Sequence, residues 1–285
     1  MTETVKKAIL VFQTDFTFKE GAVASMYGVV KSVDRDLEII TATHEIPQFD
    51  TWSASFRLNQ YIKFWPEGTV FVSVVDPGVG THRKASVALT ESGYYIVTPD
   101  NGSLTHILST EGIVAIREID EAVNRLKGMG TEQTSIFHGR DLFSYCGAKL
   151  ASGKITFEEV GPEYPVETIV THHIRKPGMS GKKVTGIFEI QDPNFGNVWT
   201  NIPLSMFTEA GFKYEDFLNV KIYNKNELVF SEKVLFHKSF GFVEKGEPII
   251  YTNEHMNIGL AVSMGSFSDT YKVGYGNDWK VEVTK

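Results

Sequence analysis

One cysteine in 285 residues, Cys146, cannot form an internal disulfide, and no second Cys or His stands at zinc-ligand spacing from it. It reads as a small buried hydrophobe. Dense basic runs are also missing. The 28 Lys and Arg against 35 Asp and Glu give a formal charge of -7, which excludes the counterion-displacing surface that a nucleic-acid backbone requires. No apolar run is long enough to span a bilayer, and the stretch from Ala8 to Phe12 is too short for the apolar part of a secretory signal. The expectation is a cytoplasmic protein with neither membrane nor nucleic acid as partner. A phosphate loop of the form Gly-x-x-x-x-Gly-Lys-Ser/Thr is absent, and Gly78-x-Gly80 lacks the third glycine of a dinucleotide fingerprint.

What is present is ordinary globular material: 42 % hydrophobic and 22 % charged residues, with 20 Phe and 11 Tyr to fill cores. The length suggests two domains. The run Ala8 to Phe12 is continuously apolar and ends in Gln-Thr-Asp, the pattern of a fully buried parallel strand. A helical pattern follows over Gly21 to Val33, then a short strand at Ile39-Ile40, a helix over Trp52 to Phe64 stopped by Trp65-Pro66, and a buried strand from Thr69 to Val75. Ala85 to Leu89 and Tyr94 to Thr98 read as a hairpin. This alternation predicts an α/β, Rossmann-like domain over 1-172. A polar connector over 173-183 leads to short alternating runs over 184-285 that predict an antiparallel β-barrel.

Four segments carry candidate chemistry. Asp15 ends the first strand, where an α/β sheet binds ligands and a carboxylate can accept both ribose hydroxyls; it serves equally well as a helix N-cap. Asp76-Pro-Gly-Val-Gly-Thr-His-Arg83 ends another strand, and its glycines allow a tight turn that can fold Arg83 back over Asp76. Phe137-His-Gly-Arg-Asp141 adds His138, so that Asp76, Arg83 and His138 can together polarise one water. Asp192 to Asn201 joins a carboxylate, amides and aromatics, the means of gripping a purine.

Taken in this order, Thr14-Asp15, Val75-Asp-Pro-Gly-Val-Gly-Thr-x-Arg83, Phe137-His-Gly-Arg-Asp141 and Asp192-x-x-Phe-Gly-Asn-x-Trp-Thr-Asn201 resemble the S-adenosyl-L-methionine hydroxide adenosyltransferases, relatives of the fluorinases and chlorinases. The resemblance spans nearly the whole chain. It implies hydrolysis of S-adenosyl-L-methionine to adenosine and L-methionine, with no cofactor and no metal, by a homotrimer whose active sites lie between one subunit's first domain and the next subunit's second. It assigns water activation to Asp76, Arg83 and His138, ribose binding to Asp15, the methionine amine to Asp192 and adenine to Asn197. Trp52, Phe195, Trp199 and Phe240 would pack the rings, and Glu254, Val262 and Met264 would complete the substrate-binding set. Two positions depart from the family pattern: Thr17 stands where Gly is usual, and Asn253-Glu-His-Met256 where a Ser helps to hold the methionine carboxylate.

In the halogenases the halide pocket includes a Tyr-Ser pair and a further Tyr. Here those places fall on His138-Gly139 and Asp76, and a carboxylate near the attacking position repels a halide while suiting a water that must lose a proton. Three competing readings stay open from the residues: a non-catalytic nucleoside-binding module, a halogenase, and a metal-dependent hydrolase built on Asp15, Asp76 and His138.

Overall fold

The computed structural model describes residues 7–128 and 130–285. It divides into two compact units, 1–172 and 173–285. No helix among the described residues is long and apolar enough to cross a membrane.

The first unit contains β1 (Leu10–Thr14), α1 (Ala22–Val33), β2 (Ile39–Thr43), α2 (Thr51–Tyr61), β3 (Val70–Val74), β4 (Ala85–Thr90), β5 (Tyr95–Pro99), α3 (Thr105–Thr110), β6 (Ile113–Glu118), α4 (Glu121–Asn124) and α5 (Tyr145–Ala151). Its sheet runs β2-β1-β3-β5-β4-β6. The first four strands are mutually parallel, and β4 is antiparallel to both β5 and β6. Helices cover both faces, which explains the unbroken apolar runs of β1 and β3, buried at every position. Leu10 and Phe12 face Met26, Val30, Phe143 and Cys146 on one side. Val11 points the other way, into Leu58, Ile62 and Phe71.

Gly147 lets α5 approach this sheet closely, since a Cβ there would lie 2.8 Å from Val72 Cγ2. Cys146 beside it is fully buried, and burial pushes its thiol pKa up to about 12. That is the inert hydrophobe expected of it.

The second unit contains β7 (Gly178–Ser180), β8 (Lys183–Gln191), β9 (Val198–Pro203), α6 (Leu204–Glu209), β10 (Phe217–Asn224), β11 (Glu227–Phe236), β12 (Pro248–Thr252), β13 (Asn257–Val262), α7 (Phe267–Tyr271) and β14 (Trp279–Thr284). Pairing of β14 with β8 closes a seven-stranded barrel in the order β14-β10-β11-β12-β13-β9-β8, with β7 attached outside β8. Phe188, Phe207, Phe236 and Phe267 fill its core.

Two details differ from the sequence expectation. Gly178–Ser180, within the expected plain connector, pairs with β8 as a strand. In the barrel, β11 and β12 run parallel, through Leu235↔Ile249 and Phe236↔Ile250, while the other neighbours are antiparallel. The cause is the segment between them, which crosses over through a 3-10 turn at Phe240–Phe242 instead of reversing.

Replacing Gly147 with Leu forces side-chain atoms into Val72, and the overpacking should lower unfolding free energy by about 1–3 kcal/mol. Urea denaturation of the purified variant measures the loss.

Candidate functional site

The chain leaves β1 toward β2 on one side of the sheet and returns to β3 on the other. The carboxyl ends of β1 and β3 therefore flank a crevice, the place where open α/β sheets bind ligands. Asp15 follows β1 and Asp76 lies just past β3.

Asp76 begins a turn in which Val79 N–H donates to the Asp76 carbonyl and Thr81 N–H to that of Gly78. Gly80 takes φ 74°, a conformation that a side chain would strain. The turn brings Arg83 back onto Asp76: Arg83 Nε donates to Oδ1 at 2.9 Å and to Oδ2 at 3.0 Å, and Nη2 also donates to Oδ2. From outside, Asn101 Nδ2 donates to the Val75 carbonyl at 2.9 Å and fixes the end of β3. The pair is nearly buried, with side-chain exposures of 10 % for Arg83 and 5 % for Asp76. Its worth lies in being complete, because removing one member would strand a buried charge at a cost of about 3–5 kcal/mol.

His138 meets the same guanidinium. It precedes a π-helical turn, Gly139–Ser144, that runs into α5, and its Nδ1 lies 2.8 Å from Arg83 Nη2. A guanidinium only donates, so Nδ1 must accept, and the imidazole is neutral with its proton on Nε2. Burial, reinforced by the Arg83 charge, holds the His138 pKa below its ordinary value. Nε2 is buried and has no hydrogen-bond partner among the described residues. The Arg83 guanidinium also sits 5.2 Å over the Phe143 ring of the π-helical turn.

The cavity at this point measures about 330 Å³ and is lined by Asp76 and His138 with Phe16, Val79, Ile136, Phe137 and other residues. Gly139 has to be glycine here, since a Cβ would meet Phe16 Cε2 at 2.9 Å and Phe137 Cε2 at 3.2 Å. The aromatic walls were not anticipated from sequence, although Phe16 and Phe137 are immediate neighbours of Asp15 and His138.

Asp15 is 7 % exposed; its Oδ2 accepts from Phe49 N–H at 2.9 Å, while Oδ1 is buried without a partner. Burial raises its pKa. An acceptor with one satisfied and one open oxygen is poised for a hydroxyl donor. As for the N-cap alternative, α1 has Gly21 at its cap and no side-chain cap bond. Thr17 explains why glycine suits its place, because it sits at φ 57°, where a β-branched residue is strained. Trp52 packs between the rings of His106 and His172. His172 is half-buried and bonds through Nε2 with Thr51 Oγ1 at 2.9 Å.

In the second unit a cleft of about 760 Å³ is lined by Phe195, Asn197, Phe240, Val262 and Met264, together with Lys245, Ser266 and their neighbours. Five of the proposed contacts thus converge. The cleft is built by the turn after β8, the crossover into β12 and the end of β13. Asp192 organises the turn by accepting from Asn194 N–H and Phe195 N–H. Gly196 at φ 69° closes it, where a Cβ would collide with Ser266.

Three expected contacts lie outside the cleft lining. Asp192 supports the turn. Trp199 is 7 % exposed and donates from Nε1 to Tyr251 OH at 2.7 Å, and the Tyr251 ring in turn carries Phe240 at 4.8 Å, so the indole acts two layers down. Glu254 is an exposed turn residue with its carboxylate 3.9 Å from His255 Nε2. The Asn253 side chain holds that turn through His255 N–H and Asn257 N–H.

Fold and site together define a two-domain enzyme class: an α/β unit bearing a buried Asp-Arg-His set, joined to a closed barrel with an aromatic and amide cleft. The chain belongs to the SAM hydroxide adenosyltransferase family, whose N-terminal domain model matches residues 10–161 and whose C-terminal domain model matches residues 188–280. It is 34 % identical over 271 residues to an (R)-S-adenosyl-L-methionine hydrolase of Methanocaldococcus jannaschii, with 94 % of this chain and 93 % of the relative covered. It is also 26 % identical to a fluorinase of Actinoplanes sp., covering 97 % of each. A crystal structure of an uncharacterized conserved protein from Thermotoga maritima superposes with a TM-score of 0.85 at 32 % identity, over 97 % of this chain and 100 % of that one.

The imidazole of His138 should titrate below 6.5, followed by its ring-proton NMR shift. Arg83→Met, which removes the neighbouring positive charge and the donor at Nδ1, should move that midpoint upward.

Proposed function

We propose that the enzyme hydrolyses S-adenosyl-L-methionine to adenosine and L-methionine, with one water attacking C5' in line with the sulfonium. The observation that carries this reading is the closed set of Asp76, Arg83 and His138, with Asp76 and His138 both lining one small cavity and His138 Nε2 left without a partner among the described residues.

Arg83 engages both Asp76 oxygens, Oδ2 twice and Oδ1 once, so Oδ1 retains a further lone-pair direction for a water proton. His138 Nε2–H is a donor, so it orients the water by giving a hydrogen bond to its oxygen. The O–C5' bond forms as the C5'–S bond breaks, the sulfur leaves as a neutral thioether, and the water proton passes to Asp76 and on to solvent. The leaving group needs no acid. Alignment and desolvation of the water supply the acceleration. Arg83 already occupies Nδ1 of His138 and both oxygens of Asp76, which argues against a metal shared by these side chains.

The open Oδ1 of Asp15 suits a ribose hydroxyl. Phe195 and Phe240 would stack the adenine, with Asn197 hydrogen bonding to its edge. The cleft's apolar rim is exposed, with Phe195 at 65 % and Met264 at 83 %, and this supports a homotrimer in which one subunit's cleft serves the neighbouring subunit's Asp76 site. Water is favoured over halide because Asp76 brings a carboxylate to the attacking position.

In heavy-oxygen water the label should appear in the 5' hydroxyl of adenosine, read by mass spectrometry; unlabelled adenosine would defeat direct attack by water. Asp76→Asn should lower kcat by about 10²–10⁴-fold, the usual contribution of a positioned base, while KM changes little. Phe195→Ala should instead raise KM by roughly tenfold at nearly unchanged kcat, the pattern for lost ring stacking in the ground state.

A further inference from the structure

A second cavity of the barrel unit, about 360 Å³, shares no residue with the Phe195 and Asn197 cleft. It lies where the turn joining β10 to β11 meets β14, β8 and the segment at Arg175, and its lining is conspicuously cationic. Arg175, Lys176, Lys225 and Lys280 contribute four positive charges, and Tyr223 and Asn226 add hydrogen-bonding groups. Glu282 is the one carboxylate in the lining, and Lys183 Nζ already neutralises it at 2.5 Å. Such a concentration of positive charge is unexpected on a chain of net charge -7.

Backbone contacts fix the chain positions from which two of these exposed cations project. Arg175 is anchored on both sides, its N–H donating to Asn277 Oδ1 at 2.9 Å and its carbonyl accepting from Asn201 Nδ2 at 2.7 Å. Lys225 sits in the hairpin turn at φ 56°, a position where Gly or Asn is free of strain. Its N–H donates to the Asp278 carbonyl at 2.6 Å, which fixes the turn against the start of β14. Lys280 reaches the same space from β14, where it pairs directly with Tyr223.

We infer that this cavity is a binding site for a small oligophosphate, with Arg175 and Lys225 reaching it from anchored backbone positions and Lys176 and Lys280 closing around the ligand. Arginine supplies a planar fork for two phosphate oxygens, and the lysines supply point charges for the rest. The volume suits a ligand of a few phosphates and is too small for a nucleic-acid strand.

The test is calorimetric titration of the full-length protein with inorganic triphosphate, and in a second arm with adenosine triphosphate. Saturable binding that weakens with added salt is expected. Arg175→Gln/Lys225→Gln should weaken it by about tenfold or more, in keeping with loss of charge-assisted bonds. The same variant should hydrolyse S-adenosyl-L-methionine at the parental rate, which separates this site from the proposed reaction and shows that the variant is folded. Equal affinities in the two arms identify the phosphate chain itself as the ligand, whereas binding confined to adenosine triphosphate and unchanged by the double substitution would overturn the site. Absence of saturable binding of inorganic triphosphate would overturn it as well.

Discussion

Arg83 is the residue that ties the first unit's candidate site together. One guanidinium spans a carboxylate from the end of β3 and an imidazole from the start of the π-helical turn. It pairs with both Asp76 oxygens and, by donating to Nδ1, leaves His138 a donor at Nε2. A lysine could supply the charge without this geometry, because it lacks the planar fork that addresses both partners at once. The glycines of the Asp76 turn, the bond from Asn101 to the Val75 carbonyl and the absence of a side chain at Gly139 all serve the same arrangement.

The polarity of this arrangement distinguishes nucleophiles. A halide needs donors around it and an absence of negative charge, whereas water needs one acceptor and one donor. The cavity offers Asp76 as the acceptor and His138 as the donor. Phe16 and Phe137 give the cavity apolar walls. A relative named as a fluorinase matches 97 % of the chain at 26 % identity, and one named as a hydrolase matches 94 % at 34 %, so chains related to this one carry the names of two different chemistries.

Much of the framework was legible in the sequence because its cause is local. Buried parallel strands read as unbroken apolar runs, and β1 and β3 were found in that way. The strand β6 was passed over because it alternates buried and exposed positions irregularly, and β9 because its aromatic and amide residues suggested a loop. The parallel step from β11 to β12 had no local signal, since Gly and Lys near a turn do not reveal whether the chain reverses or crosses. The same limit applies to the site. Asp76 and Arg83 share one turn, and their pairing could be foreseen. His138 reaches them only through the packing of α5, which the Gly147 contact permits. Trp199 and Glu254 were expected against a ligand by virtue of motif and neighbourhood, but one is roofed by Tyr251 and Phe240 and the other lies on an exposed turn.

The closure of the barrel has a kinetic meaning as well as an architectural one. The strand β8 meets its final partner only when β14 arrives, with nearly the whole second unit lying between them in the chain. During synthesis the earlier strands must wait with β8 unpaired along one side, and such an edge invites pairing with another chain. Contacts of this sequence separation form slowly. The short β7 strand cannot shelter that edge, because it pairs with the same residues, Lys183, Val184 and Thr185, on the side of β8 opposite the one that β14 takes.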